Sequence, residues 1–287
     1  MSFPALQNYL TRLSTAPQPD TRVWIDHEGR AQGRYFNCTL TSAFQPIRLL
    51  DSLEIDGYEA FARSYSESDH GLSLWKLLDH AANDDESIEL DRLCRMLHAI
   101  NFYRQPAAQA DLYLSVHDRL LTAVSGNHGM AFRSILEGLG LPIEKIILQL
   151  PAATPNQRWL LTYVADNYRR NGFRFAVNTA NSAEALGVLE CVLPDVIKVD
   201  ARELADEDSV ARLLKESRRR GVRLVFKRVD GRKTLDTLSR LNGDGGRPVH
   251  VQGYLWDLPR QSINAFVLPF PTKEDEQVPA SLKLHVV

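Results

Sequence analysis

The chain has 287 residues, 44% of them hydrophobic, and a net charge of −2. That length buries a large core and fits one barrel-sized domain or two small ones, while the near-neutral charge excludes a global attraction to a nucleic-acid duplex or an anionic membrane. Cys38, Cys94 and Cys191 are odd in number and lack metal-site spacing, which predicts reduced thiols in a cytoplasmic protein; no run approaches the roughly 18 apolar residues of an inserted membrane span, and Met1-Ser2-Phe3-Pro4 lacks a signal-peptide layout.

Residues 1–40 read as an N-terminal extension. Ala5–Leu13 predicts a short helix with Leu6, Tyr9, Leu10 and Leu13 on one face, broken by Pro17 and Pro19. Val23–Asp26 and Arg34–Thr41, flanking Gly29 and Gly33, predict an irregular hairpin. From residue 41 to 260 short apolar runs alternate with helical stretches. The runs are Ser42–Ile47, Ile55–Ala62, Leu112–Val116, Ile146–Leu150, Phe173–Val177, Val196–Val199, Val222–Phe226 and Val249–Gly253. Between them, Ile88, Leu90, Leu93, Leu97 and Ile100 form one helical stripe, and Trp159, Leu160, Tyr163, Val164 and Tyr168 another. Such alternation argues for parallel strands with helical crossovers, and eight runs at this length favour a closed α/β barrel over an open sheet. Arg48–Glu54 is too short for a crossover, so the first two runs pair as an antiparallel hairpin. Arg218-Arg219-Arg220 before Gly221 ends a helix with charges that suit its dipole. Residues 261–287, with Pro269, Pro271 and Pro279, read as an irregular tail.

Phe44-Gln45-Pro46-Ile47 followed by Gly57-Tyr58-Glu59-Ala60-Phe61-Ala62-Arg63 resembles the opening of the EAL-domain family, bacterial phosphodiesterases that cleave cyclic di-GMP. Phe61 stands for the Leu of the name motif. The resemblance runs through Glu89-Leu90-Asp91-Arg92, Leu114-Ser115-Val116-His117, Asp195–Asp200 and Gln252-Gly253-Tyr254, in family order. It implies a modified TIM-type (β/α)8 barrel with an antiparallel first strand, and a site at the carboxyl ends of the strands.

Active members hold two divalent cations in a cluster of carboxylates, as hard ions require. Glu59 keeps the Glu of the name motif. By the resemblance, His117 replaces the family Asn, Gln149 a Glu, Asn178 and Thr179 the paired Asp, and Lys227 the Glu used toward general-base work. Amides bring no charge to offset a cation, and two cations a few Å apart repel by several kcal/mol at an effective dielectric of about 20. The expectation is therefore an EAL-like domain without a metal, other cofactor or catalytic residue. The positions that bear on the nucleotide in the family survive as Gln45, Pro46, Arg63, Asp91, Gln252 and Gly253, beside Lys198 and Asp200. Amides read guanine edges and an arginine forks onto phosphate. Lys198 and Lys227 are expected to balance Glu59 and Asp200 and to neutralise the ligand's phosphates.

Plainer roles stand beside these. Arg63 with Asp91, and Lys198 with Asp200, make plausible structural ion pairs; Gln45 and Gln252 suit strand-end capping; Asn178 and Asn181 suit a turn. Two other functions compete with a cyclic di-GMP receptor signalling through a protein partner. One is a nucleotide-independent interaction module; the other is a residual phosphodiesterase.

Overall fold

The strands assemble around the runs read from the sequence. In the computed structural model, which describes residues 3–15, 22–36, 38–65, 84–106, 108–117, 128–151, 158–204, 206–243 and 247–263, ten strands form one sheet. They are β1 (Val23–Ile25), β2 (Ala31–Tyr35), β3 (Cys38–Leu49), β4 (Ile55–Tyr65), β5 (Asp111–Ser115), β6 (Ile146–Leu150), β7 (Arg174–Thr179), β8 (Val196–Asp200), β9 (Arg223–Lys227) and β10 (His250–Gln252). Strands β4 to β10 run parallel in chain order, and β3 lies antiparallel to both β4 and β10, closing an eight-strand barrel. The short connection after Leu49 forces that antiparallel first pair. Pro46 lies two residues from Phe44, whose N–H and carbonyl meet Arg260 on the β10-side edge of β3; its missing N–H falls in a gap of that edge, where no ladder bond is lost.

Seven helices lie among the described residues: α1 (Pro4–Thr15), α2 (Asp84–Tyr103), α3 (His128–Gly138), α4 (Arg158–Arg170), α5 (Ser182–Cys191), α6 (Glu207–Arg220) and α7 (Arg232–Asn242). The stripe read on α4 is only partly the core face. Leu160, Leu161, Val164, Ala165 and Tyr168 are buried, whereas Trp159 and Tyr163 are 71% and 53% exposed. Neighbours one and four apart set that face, and the two aromatics lie just beyond its edge. Helix α6 ends as expected at Gly221, left-handed at φ 77°. Its arginines are not merely solvated: Arg218 donates to Asn242 and Arg220 to the Leu189 carbonyl, tying α6 to α7 and α5.

The predicted hairpin in the extension forms with different limits. Its turn is held by the Asp26 carboxylate, which accepts from the N–H of Glu28 and of Arg30, with Gly29 at φ 74°. Arg34–Thr41 is not one strand: the chain turns at Phe36, left-handed at φ 48°, and β3 begins at Cys38. A Phe in that conformation carries no turn signature in sequence. Gly33 lies within β2, where a Cβ would come 2.8 Å from Leu97 Cδ1. Residue 40 falls inside β3, and Leu6, Val23 and Ala31 share one apolar cluster with Leu97, Ile100 and Leu112. A buried polar bridge adds to it: Asn101 bonds both the N–H and carbonyl of Ala31, and His98 Nδ1 meets Ser42 Oγ at 2.8 Å. Cys38 and Cys94 are buried and Cys191 exposed, and none of the three is in a disulfide. No helix of the described residues is long and apolar enough to cross a membrane.

Inside the barrel Ile47, Tyr113, Ile147, Ala176, Val196 and Val225 form a fully packed apolar layer. Everything above that layer faces the carboxyl ends of the parallel strands.

Candidate functional site

On top of the apolar layer, Glu59 rises from β4 directly opposite Gln45 on β3. Both of its oxygens are occupied. Oε1 accepts from Gln149 Nε2 at 2.8 Å, and Oε2 from Lys198 Nζ and Gln252 Nε2, each at 2.7 Å. The same amides reach further: Gln149 Nε2 to Ser115 Oγ at 3.2 Å, and Gln252 Nε2 to Gln45 Oε1 at 3.1 Å. Gln45 Nε2 in turn donates to the Asp257 carbonyl at 2.7 Å. Strands β3, β4, β6, β8 and β10 are thus joined through one carboxylate.

Lys198 is fully buried, with its ammonium 5.5 Å from the centre of the Tyr113 ring. Burial favours the neutral amine, against which Glu59 acts; for Glu59, burial works against ionisation, but Lys198 and the three donated bonds hold its carboxyl below the usual range. With a 2.7 Å contact and three donors shared by the two carboxylate oxygens, the pair is ionic.

Lys227 ends β9 one layer outward, half-buried, and its Nζ donates to Asn178 Oδ1 at 3.1 Å. Asn178 is anchored from β7 by its Nδ2 on the Leu150 carbonyl at 3.2 Å. Burial first, then the neighbouring Lys198 charge, pull the Lys227 pKa down to about 8. Asp200 does not pair with Lys227, contrary to expectation. Its carboxylate caps the turn Ala201–Glu203 by accepting from the Arg202 N–H, and it is held by the Arg202 and Arg228 guanidiniums at 2.9 and 3.1 Å. Those arginines outweigh the effect of burial and hold the Asp200 carboxyl below its ordinary range.

Arg63 lies four residues beyond Glu59, on the same face of β4. It has no carboxylate partner among the described residues; burial lowers its pKa, and Tyr254 is the neighbour that opposes this. Gly253 follows Gln252 where a Cβ would meet the Val229 carbonyl oxygen at 2.0 Å, so no side chain fits. That approach lets Val229 N–H bond the Gln252 carbonyl and locks the loop after β9 against the loop after β10.

The EAL domain family model matches residues 30–259. The chain belongs to that family. Solved EAL structures share its fold. BlrP1 of Klebsiella pneumoniae, as a calcium and cyclic di-GMP complex, is 18% identical with a TM-score of 0.67, over 78% of this chain and 57% of that one. The EAL domain of FimX from Pseudomonas aeruginosa, bound to cyclic di-GMP, is 17% identical with a TM-score of 0.65, over 92% and 98%. BlrP1 with FMN and cyclic di-GMP and no metal ions is 18% identical with a TM-score of 0.59, over 77% and 53%. The chain spans little more than half the length of BlrP1. No curated protein matches it.

Within this EAL barrel, Gln45, Glu59, Gln149, Lys198 and Gln252 form one connected network, and Asn178 with Lys227 a second unit beside it. Asp91 stands apart on α2. It forms an ion pair with Arg95 at 2.5 Å and accepts from the His117 N–H at 3.1 Å, so the Arg63–Asp91 pair does not form. Nor does Lys198 pair with Asp200. Thr179 is buried and bonds the Lys198 carbonyl. Asn181 is a helix cap, its side chain accepting from the Glu184 N–H, while the Glu184 carboxylate accepts from the N–H of Ala180 just before the cap. The partners missed in sequence are Arg95, Arg202 and Asp257. Arg95 was legible as the i+4 neighbour of Asp91; Asp257 carried no local signal.

Proposed function

We propose that this EAL domain is a catalytically inactive receptor for cyclic di-GMP that acts through a protein partner in the cytoplasm. The observation that carries the reading is the state of Glu59. Two divalent cations need converging, unspent carboxylate oxygens. Both Glu59 oxygens already hold three donors, and the Asp200 oxygens face two guanidiniums. No cluster of three or more His, Cys, Asp or Glu suits a metal among the described residues. The residues present do not fit a two-cation centre, and no hydrolytic step is derived through one.

Affinity for a dianionic ligand has other sources. Among the described residues Arg63 and Lys227 at the barrel mouth have no carboxylate partner, while Glu59 is matched by Lys198 and Asp200 by Arg202 and Arg228. Gln149 Oε1 and Gln252 Oε1 are buried without a donor among the described residues. Each such acceptor costs about 1–3 kcal/mol, which a ligand N–H of the kind guanine offers would recover. BlrP1 provides a precedent for an EAL barrel with cyclic di-GMP and no metal ions.

Calorimetry of the full chain with cyclic di-GMP, in magnesium and in EDTA, tests this. Binding in both without formation of the linear dinucleotide supports the receptor; turnover abolished by Glu59→Ala would instead establish a residual phosphodiesterase. One observation favours the nucleotide-independent module. The amides of Gln45 and Gln252 are spent on Asp257, Glu59 and each other, so a base must displace bonds already made. Absence of binding in both buffers would decide for that module.

A further inference from the structure

Of the two lysines at the strand ends, only one has its charge in reserve. Lys198 is fully buried and its ammonium is matched by Glu59. Lys227 meets an amide oxygen, which orients the ammonium without neutralising it. From the geometry we infer that Asn178 is a positioning residue that holds the Lys227 ammonium at the barrel mouth as a fixed cation for a phosphodiester oxygen, in place of a metal ion. The inference rests on the receptor reading and names the group that meets the phosphate.

Three observations converge on it. First, the two residues belong together: Asn178 Oδ1 accepts from Lys227 while Asn178 Nδ2 is anchored on Leu150 O, so the amide is fixed at both ends. A carboxylate at position 178 would pair with the lysine and consume its charge. Asparagine supplies the same acceptor without doing so. Second, the nearest acids are already matched elsewhere, Glu59 by Lys198 and Asp200 by Arg202 and Arg228. Third, Arg63 on β4 also lacks a carboxylate partner among the described residues, giving the mouth a second cation for the second phosphate of a cyclic dinucleotide. An ammonium without a carboxylate partner in a half-buried cleft is a cost unless an anion completes it.

The test is calorimetric titration of the full chain with cyclic di-GMP in EDTA. The parent is expected to bind. Lys227→Met should weaken binding about tenfold or more and flatten its dependence on salt, as loss of one charge-assisted contact predicts, while Lys227→Arg should stay within about threefold of the parent. Asn178→Ala should weaken binding about threefold, and the double variant should bind no worse than Lys227→Met alone, the non-additivity of a residue acting through its partner. Thermal melts should coincide, since both positions are half-buried. Parent binding that Lys227→Met leaves unchanged overturns the role of the lysine alone, as does parent binding only when magnesium is restored. Additive losses in the double variant overturn the positioning role of Asn178. A parent that binds under neither condition overturns the receptor reading and the inference with it.

Discussion

The two ends of the barrel carry the same kinds of charged residue and use them differently. At the amino-terminal end, Asp111 receives a forked pair of bonds from Arg174 at 2.6 and 3.0 Å and a third from Arg223 at 2.9 Å, while Asp56 meets His250 at 2.9 Å. Arg223 also reaches the Tyr113 hydroxyl at 3.1 Å. There Asp111 is matched by guanidiniums and Asp56 by an imidazole. At the carboxyl end, Glu59 is saturated by its donors, but Lys227 and Arg63 have no acidic partner among the described residues. An ion network whose charges are matched links the strands it joins. An unbalanced one at a mouth is a place for something charged to bind, because its cations gain more from a ligand than from water.

Breaking Glu59 has the largest expected consequence. Glu59→Ala strands the buried Lys198 charge and should cost about 3–5 kcal/mol in chemical denaturation. Adding Lys198→Met should recover most of that. A single variant within about 0.5 kcal/mol of the parent would mean that the hub does not hold the barrel top together.

Asp111→Ala comes next, at about 3 kcal/mol, because Arg174 and Arg223 both lose their acceptor. Cyclic di-GMP affinity of the folded fraction should not change. If it falls as much as with Lys227→Met, the functional division between the ends is wrong.

Two pH experiments sharpen the contrast, since they fall in separate windows. Burial pushes the His98 pKa down to about 3 from an ordinary value of 6.5, so His98 stays neutral in the fold. The unfolded chain then binds one more proton below pH 6.5, and stability should fall by up to about 1.4 kcal/mol per pH unit on acidification toward 3. His98→Gln should remove that share of the slope, read from denaturation midpoints between pH 6 and 4.5. Lys227 works in the other direction. Its pKa of about 8 rises when a phosphate binds, so affinity should decline several-fold as pH rises from 7 to 9. Lys227→Arg should give a flat profile over that range; an identical decline in that variant would assign the titration to another group.

Much of the fold was legible because its signals are local. Each of the eight apolar runs became a strand, the short Arg48–Glu54 link dictated the antiparallel opening, and Gly221 stopped α6. The extension was misread where the signal was conformational: nothing in the letters of Tyr35-Phe36 announces a left-handed turn. The half-exposed aromatics of α4 were misread because apolar spacing gives a face but not its edges. Within the site, the residue types along the barrel rim were readable one strand at a time. Their partners were not. Asp200 turned to Arg202 and Arg228, Asp91 to Arg95, and Lys227 to the Asn178 amide oxygen.

By itself the sequence located the strands through apolar runs and short links, and its resemblance to the EAL family implied which residues stand at their ends. Only the tertiary structure decided which charges cancel. Side chains at neighbouring strand ends have several partners within reach, and burial, capping and hydrogen-bond geometry select among them. That selection closed Glu59 within a cage of donors and left Lys227 with an amide for company.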